Sequence, residues 1–340
     1  MHDNRPSRTA ARSLCLAAVL ALLTLAADVP PASAQGERIE DLVSAVVRIK
    51  THINPEGRTV QGLGREREGS GVVIDSNGLV LTIGYLMVEA DAAEVTDNAG
   101  RTVPANVVGY DHESGFGLLR TVEPLKVRPI SLGKSADVNE HDPVLVASFG
   151  GTAMVTGAHV VAKREFAGSW EYLLDEALFT APAHPSWSGA ALINREGKLV
   201  GIGSLIVADA GGGNEKTPGN MFVPIDRLLP ILGELLAQGR ASGPGRPWLG
   251  VNTAEMLGRL FVTGVTPGAP AEIAGLRRGD LILSVNGEAP ASLAEFYRKV
   301  WAQGGAGASV PLDVLQENQI RRIEVKSINR LDHLKLKSTF

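Results

Sequence analysis

Between about Ile39 and Leu205 the apolar positions fall in short runs separated by polar turns. Val72-Val73-Ile74 and Leu79-Val80-Leu81 flank Asp75-Ser76-Asn77-Gly78, the pattern of a β-hairpin. Asp97-Asn98-Ala99-Gly100 and Asn194-Arg195-Glu196-Gly197 repeat the device. Closely spaced strands joined by Gly-containing turns predict a sandwich or a pair of barrels. A helix follows, with Leu228, Leu229, Leu232, Leu235 and Leu236 on one side, Asp226 placed to cap it and Gly239 to stop it. Gly239 to Gly245 then reads as a linker.

A second unit starts near Arg246. Strands are predicted over Leu260–Val265, Leu281–Val285, Val310–Val314 and Arg322–Val325, with a short helix over Ala269–Ala274 ended by Gly275. Ser292-Leu293-Ala294-Glu295 is a capping box. It opens a helix whose apolar face is Leu293, Phe296, Tyr297, Val300 and Trp301. The tail from Asn329 is basic and is expected to be loosely held.

Composition adds the compartment. Arg5, Arg8 and Arg12 precede an apolar run from Leu14 to Ala26, and Ala32-Ser33-Ala34 has the A-x-A form of a cleavage site. That run is too short to span a bilayer and predicts a signal peptide over residues 1–34, a mature chain starting at Gln35 and a periplasmic or secreted protein. Processing would remove three basic and two acidic residues, moving the net charge from −4 to −5, and would take away Cys15, the only cysteine. Stability must then come from burial, not disulfides. The mild acidity gives no sign of a nucleic-acid partner, and no stable membrane span is expected after cleavage.

The order of motifs resembles one family, the HtrA-type proteases, exported trypsin-like enzymes followed by a PDZ domain. Gly69-Ser70-Gly71-Val72-Val73-Ile74 is similar to the family's GSGFVI strand, and Gly78-Leu79-Val80-Leu81-Thr82 to the GYILT that leads into its catalytic histidine. Ser188-Gly189 and Leu192-Ile193-Asn194 resemble parts of the GNSGGPLVN nucleophile loop. Gly275-Leu276-Arg277-Arg278-Gly279-Asp280 and Val285-Asn286-Gly287 resemble the GLxxGD and VNG segments of the PDZ domain. The resemblance implies an all-β-dominated fold: a chymotrypsin-like double β-barrel over residues 37–238, a linker over 239–246, an α+β PDZ domain over 247–328 and a tail over 329–340.

It also implies where the chemistry is missing. Serine hydrolysis needs a hydroxyl, a histidine that takes its proton and a carboxylate that orients the histidine. Ser188 stands at the nucleophile position, but the histidine position is Tyr85 and the carboxylate position is Gly115. A phenol with pKa near 10 is a poor base at neutral pH. The Gly-Asn that precedes the family's serine is Ser186-Trp187 here, which disturbs the turn that forms an oxyanion hole. Trp187 either fills the old cleft or covers the barrel surface. Asp111 and Glu113 read as solvated turn residues, and His184 and His112 are the two histidines that could replace the base. The other histidines lack metal-ligand spacing, and no cofactor is expected.

Trp248-Leu249-Gly250-Val251 resembles the loop whose backbone N–H groups hold a peptide's terminal carboxylate in this family. The peptide would add as a strand against the helix carrying Phe296 and Val300. Only Asn252 to Arg259 separate that loop from the next strand, so the groove is either shallower than usual or partly blocked, and a domain that packs on the first domain and binds nothing is the alternative. The expected function is a pseudoprotease that binds peptides, protein C-termini or misfolded chains, or scaffolds a partner. Two alternatives stay open: an endopeptidase using Ser188 with an unusual base, and a structural subunit of an assembly with an active relative. The resemblance also implies self-assembly as a homotrimer.

Overall fold

The computed structural model describes residues 39–212 and 216–336; the expected signal peptide lies outside them. Six strands, β1 (Val46–Ile53), β2 (Glu66–Val73), β3 (Leu79–Ile83), β4 (Ala90–Thr96), β5 (Thr102–Tyr110) and β6 (Phe116–Thr121), close a barrel in the order β1-β2-β3-β6-β5-β4. A second barrel, β10-β11-β12-β9-β8-β7, uses β7 (Pro143–Ala147), β8 (Val155–Gly168), β9 (Tyr172–Ala181), β10 (Ala191–Ile193), β11 (Leu199–Val207) and β12 (Gly219–Pro224). Of the two architectures left open by the strand pattern, the barrel pair is the one formed.

The hairpin signals work by one shared device. Asp75 Oδ1 accepts from the N–H groups of Asn77 and Leu79, Asp97 Oδ1 from those of Ala99 and Arg101, and Asn194 Oδ1 from those of Glu196 and Lys198. A short polar side chain thus supplies the bonds that the turning backbone cannot make to itself. The helix α1 (Leu229–Gln238) ends at Gly239, whose left-handed backbone (φ 73°) lets its N–H reach the Leu235 carbonyl. Asp226 does not cap this helix. Its carboxylate accepts from Ser135 and Ala136 in the segment between the barrels.

The third sheet runs β13 (Val251–Met256), β14 (Arg259–Val265), β15 (Leu281–Val285), β16 (Ser309–Gln316) and β17 (Gln319–Lys326), in that spatial order. Helix α2 (Leu293–Trp301) packs on it through Phe296, Tyr297 and Val300, all buried. Its capping box is offset by one residue: Ser292 Oγ accepts from Glu295 N, and the Glu295 carboxylate accepts from Ala291 N. Val251 to Val265 form a plain hairpin turned at Leu257-Gly258, both with positive φ. In this topology β13 is an edge strand.

The described part of the tail, residues 329–336, is tied down rather than loose. Helix α3 (Arg330–His333) puts Arg330 against the Trp170 carbonyl and His112, and packs His333 at a tilt against Trp248 with ring centroids 4.9 Å apart. Lys335 N donates to the buried Glu89 carboxylate, far along the first barrel. Among the described residues no helix is long and apolar enough to cross a membrane.

Candidate functional site

The old cleft is built from three segments. Strand β3 ends in a single helical turn, Gly84–Leu86, that presents Tyr85. Arg67, itself buried, pins that turn by donating to the Tyr85 carbonyl at 2.7 Å. Gly84 N donates to the Gly115 carbonyl at 2.7 Å, so the backbone still brings the histidine and aspartate positions together. The nucleophile turn is locked by backbone bonds: Ser70 N to the Ser188 carbonyl (2.8 Å), and Gly189 N to the Gly203 carbonyl (2.9 Å). Gly189 has φ +74°, and a Cβ there would sit 1.9 Å from the Ser70 carbonyl oxygen, so only glycine fits.

Tyr85 Oη lies 2.8 Å from Ser188 Oγ and donates its proton to the Ser204 carbonyl, also at 2.8 Å. A phenol has one hydrogen. With it committed to Ser204, Ser188 is the donor in its bond to Tyr85. Burial raises the Tyr85 pKa to about 12, against smaller opposing contributions from hydrogen bonds with Ser188 and Trp187. The acceptor facing the serine is therefore a neutral phenol oxygen with no useful affinity for a second proton.

At the carboxylate position, Gly115 is left-handed (φ +82°). A Cβ added there would lie 3.0 Å from the Tyr172 hydroxyl, which donates to the Ser114 carbonyl at 2.7 Å. Both the backbone conformation and the space have drifted away from an aspartate. Asp111 is a buried turn brace, not a solvated residue, its carboxylate accepting from Ser114 N. Glu113 pairs with Arg246 at 3.0 Å.

Neither histidine replaces the base. His112 accepts from Arg330 at Nε2 (2.9 Å), which leaves Nδ1 to donate to Tyr110 (2.9 Å). Burial, and then the nearby Arg330 charge, hold its pKa well below the usual range. His184 Nδ1 accepts from Ser186 N at 3.0 Å, and its Nε2 contacts the Met154 carbonyl at 3.2 Å. Its own backbone is clamped by Asn220, which accepts from His184 N (2.6 Å) and donates to its carbonyl (3.1 Å). Burial lowers the His184 pKa, in keeping with a neutral ring.

The His184 bond carries a consequence the sequence did not reveal. In a serine protease the oxyanion is held by the N–H of the nucleophile and that of the residue two before it. Here the second of these is Ser186 N–H, and it is spent on His184. Trp187 lines a cavity of about 430 Å³ together with Arg48, Ser70, Phe149, Ser186 and Ser188. It therefore borders the cleft without filling it.

The PDZ-type loop is also occupied. Leu249 N donates to Glu171 Oε2 (2.9 Å), and Gly250 N and Val251 N donate to Oε1 (2.6 and 2.9 Å). Glu171 sits in the three-residue turn between β8 and β9, Ser169-Trp170-Glu171, bounded by the Gly168–Tyr172 pair. Phe296 and Val300 share a buried cluster with Leu173 of β9. Trp248 is buried and contacts His333 of the tail. Among the described residues no group of His, Cys, Asp and Glu is placed to hold a metal ion.

Comparison with known proteins agrees with both halves of the molecule. Residues 69–202 match the trypsin-like peptidase domain family and residues 261–316 the PDZ domain family. The serine protease PepD of Mycobacterium tuberculosis is 30% identical over 309 residues, 84% of this chain and 64% of PepD. The periplasmic pH-dependent serine endoprotease DegQ of Escherichia coli is 29% identical over 275 residues, 76% of this chain and 58% of DegQ. The chain is an HtrA-type serine protease homologue with a PDZ domain.

It spans about 60% of the length of these two curated relatives. The fold likeness extends to solved HtrA-type structures. AlgW with a decapeptide superposes with a TM-score of 0.51 at 22% identity, covering 88% of this chain and 98% of AlgW. The serine endoprotease from Yersinia pestis gives 0.50 at 24% identity, covering 88% of this chain and 98% of that one. Against this framework the HtrA-type chain keeps the serine and the barrel backbone around it.

Proposed function

We propose that this HtrA-type homologue is a pseudoprotease that binds peptides or unfolded protein outside the cytoplasm through its PDZ domain. One observation carries the loss of catalysis: the Tyr85 hydroxyl already donates to Ser204, so Ser188 faces an acceptor that cannot take its proton. Two further features support it, the left-handed Gly115 at the carboxylate position and the Ser186 N–H given to His184. In a well-studied serine protease, removing the histidine alone costs about 10⁶ in kcat. Peptide binding is supported by the PDZ match and by the decapeptide named with the AlgW structure. Export is supported by the basic, apolar and A-x-A sequence of residues 1–34 and by the periplasmic relative DegQ.

Casein and peptide cleavage by the purified protein beside a Ser188→Ala variant tests the first claim. Equal background signals are expected; cleavage that disappears in the variant would overturn it. N-terminal sequencing of the protein recovered from the periplasm or medium is expected to begin at Gln35, and an intact N-terminus in the cytoplasm would remove the export claim.

A further inference from the structure

We infer that residues 168–173 are the resident ligand of the PDZ groove, with the Glu171 carboxylate standing where the terminal carboxylate of a peptide would bind. The inference rests on reading this groove as the peptide site, and four observations on different elements converge on it.

First, the three successive N–H groups of Leu249, Gly250 and Val251 all converge on the two Glu171 oxygens. Charge-assisted bonds of this kind are the strong ones, and a side-chain carboxylate presents the same pair of oxygens as a chain terminus. Second, the contact continues along the edge of the sheet. Thr253 N, two residues on from Val251, donates to the Ser169 carbonyl at 2.9 Å. This single backbone bond falls on the free edge of β13, the edge to which a peptide strand would add.

Third, the opposite wall of the groove grips the same turn. Tyr297 of α2 donates to the Gly168 carbonyl (2.6 Å) and accepts from Glu171 N (3.2 Å). Fourth, Leu173 joins the buried cluster of Leu249, Val251, Phe296 and Val300, so an apolar side chain accompanies the carboxylate. Arg298 on the outer face of α2 pairs with both Glu165 of β8 and Asp175 of β9. These last pairs are exposed and add little. Together the contacts place a carboxylate, a strand edge and an apolar side chain in one groove, each supplied by this chain.

A free peptide carboxylate can reach Leu249–Val251 only after Glu171 leaves. The test uses the full chain and two measurements. Hydrogen–deuterium exchange at the amides of Leu249, Gly250 and Val251 is compared in wild type, Glu171→Ala and Glu171→Gln. The second variant keeps the size of the side chain and one acceptor oxygen, so it controls for loss of folding. Expected are strong protection in wild type, exchange at least about 10-fold faster in Glu171→Ala, and an intermediate rate in Glu171→Gln. Unchanged exchange in both variants would overturn the inference and leave the peptide-binding reading intact.

The second measurement is fluorescence anisotropy with a fluorescein-labelled octapeptide ending in leucine, with a free carboxylate or a terminal amide. Glu171→Ala is expected to bind the free-carboxylate form at least about 10-fold more tightly than wild type does, and neither protein to bind the amide. Faster exchange without any peptide binding would remove the peptide-binding reading while leaving Glu171 as the occupant. Equal peptide affinity in wild type and Glu171→Ala would show that the turn does not compete and would overturn the inference.

Discussion

The base position of the cleft and the carboxylate loop of the PDZ groove are each taken by a group of the chain itself, but by different routes. In the cleft the occupant belongs to the site. Tyr85 stands at the base position on the turn that ends β3 and bonds to Ser188 and Ser204. In the groove the occupant comes from elsewhere, a barrel turn some 80 residues before the loop it fills. One closure is a residue type at the site itself. The other is a contact between two surfaces, open on our inference to a competing carboxylate. On the proposed reading, loss of chemistry and control of binding are separate events in this fold.

The largest effect expected from an attempt to break the comparison is a negative one. A Tyr85→His, Gly115→Asp variant restores two triad residue types, yet it is expected to stay well below the activity of intact relatives in peptide hydrolysis. The aspartate must adopt a left-handed backbone 3.0 Å from Tyr172, and Ser186 N–H remains bound to His184. The lost oxyanion donor alone costs about 10²–10³ in kcat. Full activity from these two substitutions would show that the cleft is as reversible as the groove.

Leu173→Ala removes the apolar anchor of the turn and is expected to cost about 2–5 kcal/mol in urea unfolding, the range for a buried leucine. Its buried position, 4% exposed, supports the upper part of that range. A loss under 1 kcal/mol would mean that the turn is held by polar contacts alone.

The groove should also respond to pH where the cleft does not. Burial raises the Glu171 pKa to about 7 from an ordinary 4.5, against the opposing hydrogen bonds of the loop and the Arg330 charge. A docked carboxyl that keeps its proton longer than a released one is favoured by acid. Its advantage is complete below about pH 4.5 and fades as pH rises through 7. The groups around it are Arg330, Arg246, Asp111, Glu113, Tyr297 and His112. Of these, His112 is held neutral by burial and by Arg330, and burial raises the Tyr297 pKa above its ordinary value. Wild type is therefore expected to bind the free-carboxylate peptide more tightly at pH 8.5 than at 5.5, with no such trend in Glu171→Ala. The opposite slope in wild type would show that the three loop N–H bonds outweigh burial and favour the docked anion over the released one.

The smallest effect is at the cleft. Tyr85→Phe deletes the donor to the Ser204 carbonyl and is expected to cost about 1 kcal/mol in stability with no gain in hydrolysis. A larger loss would make Tyr85 a structural keystone as well as an occupant.

What the sequence made legible was local. The Asp75, Asp97 and Asn194 turns, the Ser292 cap and the Leu293–Trp301 helix each depend on residues within a few positions of one another. So does the spacing that places Tyr85 after Leu81-Thr82. What it hid was tertiary. His184 looked like a spare base because nothing in its neighbourhood shows that Asn220 turns it toward Ser186. Glu171 has no local signature, since its partners lie at 249–251. The tail looked free because its anchors, Glu89, Trp170 and His112, are distant in the chain. Asp226 looked like a helix cap because the Ser135 amide that claims it is about 90 residues away.

The most direct test of the central claim, that Ser188 has no working base, is labelling with a fluorophosphonate probe. Wild type, Ser188→Ala and an active HtrA-type protease are treated side by side at neutral pH, and the modified residue is located by mass spectrometry. The account predicts labelling of the active protease only, with wild type indistinguishable from Ser188→Ala. Stoichiometric labelling of wild type at Ser188 would contradict it, because a serine whose proton faces a neutral phenol has no means of becoming that nucleophilic.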